Sequence, residues 1–232
     1  MVNIKDNLTR IRDEIRTAAK RSGRIEEDIL LVAVTKTRPV EDIIEAVQYG
    51  ITTVGENRVQ ELLEKKAGWP ENISVQWRLI GHLQKNKIRK VFGEVSAIDS
   101  VDSLDLAKRL SAEGERTERV LPVLVEINTS GETSKKGLSL EEALPVLENI
   151  LGECPFLAVE GLMTIGPLTE NEAQVRRAFA CLRELAEKAR RDFSLPLPEL
   201  SMGMSGDFSW AIEEGSTMVR IGSALFGVRR GI

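Results

Sequence analysis

The alternation of short apolar segments with helical patterns constrains the fold of this chain more than any other feature of its sequence. From residue 28 onward, an apolar run is followed by an amphipathic helical pattern, and this unit recurs to the end of the chain. The predicted strands cover residues 28–35, 52–55, 76–81, 94–99, 120–128, 156–165, 199–202 and 217–221. Continuous apolar runs are typical of parallel strands that are covered on both faces. The pattern therefore predicts an α/β fold with a parallel sheet.

Eight strand–helix units in 232 residues favour a closed (β/α)8 barrel, a TIM barrel, over an open sheet. An open, doubly wound sheet is the alternative, but no G-x-G-x-x-G turn follows the first strand. No change in composition marks a linker, so residues 1–232 are expected to form a single barrel domain. Residues 3–21 carry apolar side chains at helical spacing and predict an extra N-terminal helix that covers one end or side of the barrel.

Composition excludes several classes of protein. The 32 basic and 36 acidic residues give a net charge of −4, which argues against a general nucleic-acid or membrane binder, and the basic stretch KNKIRK is best explained as a solvated helix face. Two cysteines are too few for a disulfide framework. The N-terminal segment has no apolar signal-peptide core, and no window approaches the ~18 apolar residues of a membrane span. We therefore expect a cytoplasmic protein.

Polar and glycine-rich segments follow most of the predicted strands. They include TKT, GENRVQE, GHLQKNK, NTSGETSKKG, SMGMSGD and RIGSALFG. In a (β/α)8 barrel the carboxyl ends of the strands meet at one face, which carries the functional site. His82, the only histidine, lies in the third of these segments, where a hydrogen-bonded structural role is at least as well supported as a functional one. Glu56 is expected to cap the helix that follows the second strand.

The last two segments are typical of a phosphate site. Loops after the seventh and eighth strands of such barrels commonly bind a phosphate group through backbone N–H groups. The stretches SMGMSG and IGS supply glycines and hydroxyls that allow the backbone to approach an anion. Tight turns that merely close the barrel are the alternative.

Lys36 directly follows the first apolar strand. A lysine at a strand end commonly extends its amine to solvent, and this is the alternative to a functional role. At the mouth of an apolar barrel, however, burial favours the neutral, nucleophilic amine. Next to a phosphate site, such an amine is suited to form a Schiff base with a phosphorylated aldehyde. Pyridoxal 5'-phosphate (PLP) is one candidate, and a sugar-phosphate aldehyde, as in a class I aldolase, is the other.

The chain resembles the small pyridoxal-phosphate homeostasis proteins of the YggS/PROSC type, whose fold is similar to the N-terminal barrel of alanine racemase. The resemblance rests on AVTKT, GENRVQE, WRLIGHLQKNK, GLMTIG, LSMGMSGDFSWAI and STMVRIGSALFG, which occur in the family's order between residues 33 and 227. Thr35 stands where the family more often has serine. The resemblance implies that Lys36 carries PLP as a Schiff base, that Arg220 faces the pyridine nitrogen and that Asn57 lies near the ring. It also implies that the phosphate is held by Ser201, Met202, Gly222 and Ser223.

An arginine beside the pyridine nitrogen would weaken the ring as an electron sink. Arginine can only donate hydrogen bonds, so the nitrogen would stay unprotonated, whereas enzymes that need a strong sink place a carboxylate there. If the chain were a racemase of this type, the resemblance implies that it would have a tyrosine four residues after its lysine. It would also have a second, β-rich domain with a catalytic tyrosine. Here Val40 stands at the first position, Tyr49 is the only tyrosine, and the sequence stops at Ile232.

These differences favour a carrier over an enzyme. We expect the chain to act in intracellular PLP homeostasis and delivery without significant catalysis, as a monomer, with apo forms of PLP-dependent enzymes as partners. A PLP-dependent, racemase-like enzyme acting on amino acids is one alternative. A phosphosugar aldolase is the other.

Overall fold

The eight strands form one closed parallel barrel in which each strand pairs with the next and the last pairs with the first. This computed structural model describes residues 3–132 and 135–227. The strands are β1 (Leu30–Val34), β2 (Thr53–Glu56), β3 (Gln76–Leu79), β4 (Ala97–Val101), β5 (Leu121–Glu126), β6 (Leu157–Met163), β7 (Glu199–Met204) and β8 (Met218–Ile221). The prediction of a (β/α)8 barrel is confirmed.

Helices alternate with the strands around the barrel. They are α1 (Ile4–Arg21), α2 (Val40–Gln48), α3 (Val59–Ala67), α4 (Ile88–Val91), α5 (Leu104–Thr117), α6 (Leu140–Glu153), α7 (Glu172–Phe193), α8 (Phe208–Glu213) and α9 (Ser223–Phe226). The basic stretch KNKIRK, predicted to lie on a helix, forms a 3-10 turn, Lys85–Lys87, followed by the short α4. Within the described part of the chain, no helix is long and apolar enough to cross a membrane.

The extra N-terminal helix is confirmed, and it lies on the side of the barrel. The Asn3 side chain caps α1 by accepting a hydrogen bond from the Asp6 backbone N–H. One face of α1 is fully buried and packs mainly against α8 and α9. The Asn7 side chain also donates to the Leu225 carbonyl at 2.9 Å. Because α9 directly follows β8, α1 supports one of the two predicted phosphate loops from outside.

Strand alternation divides the apolar core in two. Successive side chains of a strand point to opposite faces, so Val32 and Ala33 of β1 belong to different clusters. The larger cluster fills the space between the strands and the helices. The smaller one lies inside the barrel and consists of Val32, Leu124, Met163 and Met218, with Leu30 packed against it.

Charged side chains also fill the barrel interior, toward the amino ends of its strands. Arg78 of β3 donates to both carboxylate oxygens of Asp99 on β4, at 2.9 and 3.0 Å. It also donates to Glu199, the first residue of β7, at 2.6 Å. Arg78 is 4% exposed and Asp99 is 0% exposed, so this network is a closed, internally paired part of the core.

Candidate functional site

A cavity of about 370 Å³ opens at the carboxyl ends of β1, β7 and β8, and we call it the main cavity. Five of the seven residues predicted to bind the cofactor line it, namely Lys36, Asn57, Arg220, Gly222 and Ser223. The other lining residues are Val34, Arg38, Ile80, Ile165, Met204, Ser205 and Gly206. Its position at the strand ends agrees with the expected location of a functional site in this fold.

The main cavity is positively charged. Lys36, Arg38 and Arg220 line it, and its lining contains no acidic residue among the residues that the structure describes. Arg38 is held in place by hydrogen bonding to the Gly227 carbonyl and by stacking over the Phe226 ring, 5.8 Å from the ring centroid. Three cations around one cavity favour an anionic ligand.

The loops after β7 and β8 meet at the Ser205 hydroxyl. Its oxygen accepts hydrogen bonds from the backbone N–H groups of Gly222 and Ala224, at 3.3 and 3.2 Å. Asp207 fixes the first of these loops by accepting from the Met204 N–H at 2.6 Å. Two backbone donors and the nearby hydroxyls of Ser205 and Ser223 are the groups that bind a phosphate in proteins.

Ser201 and Met202, which the resemblance assigned to the phosphate, do not line the main cavity. Met202 is 0% exposed and packs in the core behind β7. Ser201 lies inside the barrel, where its hydroxyl accepts from Arg220 at 2.7 Å. The reason is the length of β7, which ends at Met204 rather than at residue 202. The loop therefore starts at Ser205, so Ser205 and Gly206 line the cavity. Both lie in the SMGMSGD stretch, but neither was predicted to bind the cofactor.

Arg220 is fixed at the floor of the main cavity. One terminal nitrogen donates to Ser201, and the other donates to the Thr164 carbonyl at 2.8 Å. Burial lowers the pKa of Arg220, while the carboxylates of Asp99 and Glu126 act in the opposite direction. Because each terminal nitrogen has its own acceptor, the guanidinium is held in one orientation, as a positioned hydrogen-bond donor must be.

The backbone around Lys36 is held by a buried ion network on α3 and β2. Lys65 donates to the Thr35 carbonyl at 2.7 Å and to Glu56 at 2.5 Å. On the other side of Lys36, the Thr37 N–H donates to Glu61 at 2.9 Å. Thr37 has a φ of 63°, which is unusual for a β-branched residue and persists only where the surroundings fix it.

Glu56 does not cap a helix, so that prediction is wrong. It is the last residue of β2 and is 0% exposed, and it accepts from both Thr35 and Lys65. Burial raises the pKa of Glu56, and the hydrogen bonds from Lys65 and Thr35 oppose this shift. The pairing was not visible in the sequence because it joins a strand to the far end of the following helix.

Asn57 lies where the ends of β2 and β3 come closest. A Cβ on Gly81 would lie 2.4 Å from the Asn57 carbonyl oxygen, so only glycine permits this approach. The Asn57 side-chain oxygen is buried and has no hydrogen-bond partner among the described residues. An acceptor in this state normally marks a missing ligand or water.

A second cavity of about 210 Å³ adjoins the main one, and we call it the side cavity. The two share Asn57, Ile80 and Ile165. Glu126, at the end of β5, lines the side cavity, is 5% exposed and has a pKa raised to about 7 by burial and by the nearby Asp102 carboxylate. His82 also lines it, and its Nδ1 lies 3.1 Å from Asp102, so the histidine is hydrogen-bonded and also faces a cavity, which leaves both of its predicted alternatives open.

The fold and the main cavity together define a barrel protein with an anion-binding mouth and a lysine at its rim. No cluster of three or more potential metal ligands occurs among residues 3–132 and 135–227.

Comparisons with known proteins agree with this class. The family model of the alanine racemase N-terminal domain matches residues 7–230. The pyridoxal phosphate homeostasis protein of Aquifex aeolicus is 42% identical over 229 residues, which cover 99% of this chain and 100% of that protein. The chain therefore belongs to the alanine racemase N-terminal domain family, within the group of pyridoxal phosphate homeostasis proteins.

Solved structures give the same result at the level of the fold. PipY of Synechococcus elongatus, solved with PLP bound, superposes with a TM-score of 0.85 at 32% identity, over 97% of this chain and 100% of PipY. An alanine racemase of Clostridium difficile superposes with a TM-score of 0.77 at 16% identity, over 99% of this chain and 57% of the racemase. The second likeness concerns the fold alone.

Proposed function

We propose that this chain binds PLP in the main cavity through a Schiff base with Lys36 and acts in PLP homeostasis and delivery without significant catalysis. The observation that carries the proposal is the juxtaposition of Lys36 with the Ser205–Gly222 loop pair and Arg220 around one cationic cavity. The PLP-bound relative PipY and the names of the curated relatives support the choice of ligand.

The residues of the main cavity fit this cofactor. The phosphate would be held by the hydroxyls of Ser205 and Ser223 and would accept from the backbone N–H groups of Gly222 and Ala224 in place of the Ser205 oxygen. Arg220 would donate to the pyridine nitrogen, and Asn57 would lie beside the ring. When bound, PLP supplies an aldehyde that condenses reversibly with a primary amine.

Ser201 and Met202 keep indirect roles in the proposal. Ser201 accepts from Arg220 and so orients the guanidinium that faces the ring. Met202 is 0% exposed and packs in the core behind the strand from which the Ser205 loop emerges. Neither needs to touch the cofactor for its loss to weaken binding.

The kinds of residue around Lys36 support the absence of significant catalysis. Arg220 can only donate hydrogen bonds, so it does not help the pyridine ring to accept electrons. The only tyrosine of the sequence, Tyr49, lies at the end of α2 under the Lys5 ammonium, which is 5.9 Å from its ring centroid. No tyrosine therefore lines the main cavity, and none of the described residues that line it is a tyrosine, histidine or carboxylate that could act as a second base for racemisation.

We further propose that the chain delivers PLP to apo forms of PLP-dependent enzymes. It would act as a monomer, as one barrel unit and in the cytoplasm. Homeostasis, the function in the relatives' names, is consistent with delivery. Cys154 and Cys181 are free thiols, which is consistent with a reducing compartment.

An absorbance titration tests the attachment point. The purified chain mixed with PLP is expected to show a visible band that is absent from free PLP and from Lys36→Ala. Lys136→Ala, which removes an exposed lysine of the side cavity, is the matched control and is expected to keep the band. An unchanged band in Lys36→Ala would contradict the Schiff base with Lys36.

A turnover assay tests the absence of catalysis. The PLP-loaded chain is incubated with single L-amino acids, and optical inversion and keto-acid release are followed. We expect rates equal to those of free PLP at the same concentration. A rate well above that reference would replace the carrier function with a racemase-like enzyme.

A further inference from the structure

Two hydrogen-bond acceptors, the Glu126 carboxylate and the Asn57 side-chain oxygen, line the side cavity and have no donor among the described residues. Glu126 is 5% exposed, and among the described residues no hydrogen bond or ion pair reaches its carboxylate. The Asn57 side-chain oxygen is buried and also lacks a partner in the described part of the chain. Both residues line the same cavity of about 210 Å³. Buried acceptors without donors are costly and rare, so a donor-bearing ligand is the simplest explanation.

The other charged groups around the side cavity already have partners. The Lys135 amine donates to the Gly166 carbonyl at 2.8 Å and pairs with Glu132 at 2.9 Å. His82 faces Asp102. Lys136 is exposed and acts on Glu126 only through its charge, and Arg220 is bound to Ser201 and Thr164. Glu126 is therefore the carboxylate of this cavity that still lacks a cation in contact with it.

The remaining walls restrict the shape of such a cation. Ile80, Ile127 and Ile165 line the side cavity, so its occupant has an apolar part as well as a charged one. A cavity of about 150 Å³ holds a benzene-sized molecule, so 210 Å³ accommodates a short alkyl chain with its head group. A primary ammonium carries three donors and no acceptor, which suits the Glu126 carboxylate and the Asn57 side-chain oxygen as its acceptors.

We propose that the side cavity binds the primary ammonium group of a small organic cation, with Glu126 as its counter-ion and Asn57 as its second acceptor. The occupant is an alkylammonium or the ammonium of an α-amino acid. Because the two cavities share Asn57, Ile80 and Ile165, this ligand lies directly beside the cavity that contains Lys36. This ligand goes beyond PLP binding because its counter-ion, Glu126, takes no part in the proposed PLP site.

Calorimetric titration of the PLP-free full chain at pH 8 tests the proposal, with n-propylammonium and L-alanine as the two probes. The uncharged n-propanol is the control for simple filling of an apolar cavity. We expect an ammonium probe to bind and n-propanol not to bind. Tighter binding of L-alanine identifies an amino-acid site, and tighter binding of n-propylammonium identifies an alkylammonium site.

Variants locate the site. Glu126→Gln keeps the shape of the side chain and is expected to weaken binding by about tenfold or more, because a buried charge pair is lost. Glu153→Gln, which removes a surface carboxylate outside the cavity, is expected to bind normally. Lys36→Ala is also expected to bind the probe, so failure of the PLP proposal and failure of this one are distinguishable. Equal binding by Glu126→Gln and the unsubstituted chain, or equal binding of probe and n-propanol, would overturn the proposal.

Discussion

The buried Arg78 network at one end of the barrel interior is closed, whereas the other end contains polar groups that lack a partner. Toward the amino ends of the strands, Arg78 is bonded to Asp99 and Glu199. At the carboxyl ends, Glu126 and the Asn57 side-chain oxygen have no partner among the described residues, although Glu126 is as well buried as Arg78. Burial raises the pKa of Asp99 to about 6 despite the opposing charge of Arg78, and that of Glu126 to about 7.

The difference separates buried polar groups that stabilise the fold from those that are available to bind a ligand. A buried polar group without a partner costs about 1–3 kcal/mol, so it persists where a ligand or water later completes it. A closed network such as that of Arg78 leaves nothing for a ligand to satisfy. On this basis we interpret the amino end as structural, and the two cavities at the carboxyl end remain the proposed binding sites.

The largest expected effect is that of breaking the closed network. Arg78→Met leaves the buried Asp99 and the partly buried Glu199 without their cation, which is expected to lower the free energy of unfolding by about 5 kcal/mol in urea denaturation. Arg10→Met removes an exposed arginine of α1 and is expected to change it by less than about 0.5 kcal/mol. Equal effects of the two substitutions would show that the Arg78 network is not structural.

The second effect concerns the network behind Lys36. Lys65→Met removes the cation that holds Thr35 and Glu56, and is expected to cost about 3–4 kcal/mol. The adjacent Lys66 is less buried and pairs with Glu94, so Lys66→Met is expected to cost less than about 1 kcal/mol. The Lys65 variant is also expected to bind PLP more weakly, as measured by the visible band. Full PLP affinity in a folded Lys65→Met chain would show that this network does not position Lys36.

The third effect is a pH dependence at the unpaired end. The pKa of Glu126 is raised from 4.5 to about 7, so the ionised carboxylate is disfavoured in the folded chain. The folded state therefore loses stability as the pH rises from about 4.5 through about 7, whereas Glu126→Gln does not have this loss. By pH 8 the variant is expected to be the more stable by up to about 3 kcal/mol.

Urea denaturation of both chains at pH 4 and pH 8 checks this expectation. The difference in the free energy of unfolding should be larger at pH 8 than at pH 4. A constant difference over this range would mean that Glu126 is already paired in the folded chain, and the contrast between the two ends would then fail.

The barrel was predictable from the sequence because its signals are local. Each strand is an apolar run, each helix has its own periodicity, and Lys36 follows the first strand directly. The polar segments at the strand ends could also be assigned to one face, since parallel strands align their carboxyl ends. Five of the seven cofactor residues, all from these segments, line one cavity.

The remaining features depend on contacts between distant residues. β7 ends at Met204 rather than at the predicted residue 202, because it continues to pair with β8 as far as Arg220. As a result, Ser205 and Gly206 line the cavity in place of Ser201 and Met202. The partners of Glu56 and the isolation of Glu126 likewise follow from packing across elements. No spacing in the sequence marks either one.

The most direct test of the central claim is to locate the covalently bound cofactor. The PLP-loaded chain is reduced with borohydride, which converts a Schiff base into a stable amine, and the modified peptide is identified by mass spectrometry. We predict one pyridoxyl group per chain, on Lys36. A pyridoxyl group on Lys65, Lys135 or Lys136 in place of Lys36, or one spread over many lysines, would contradict the claim.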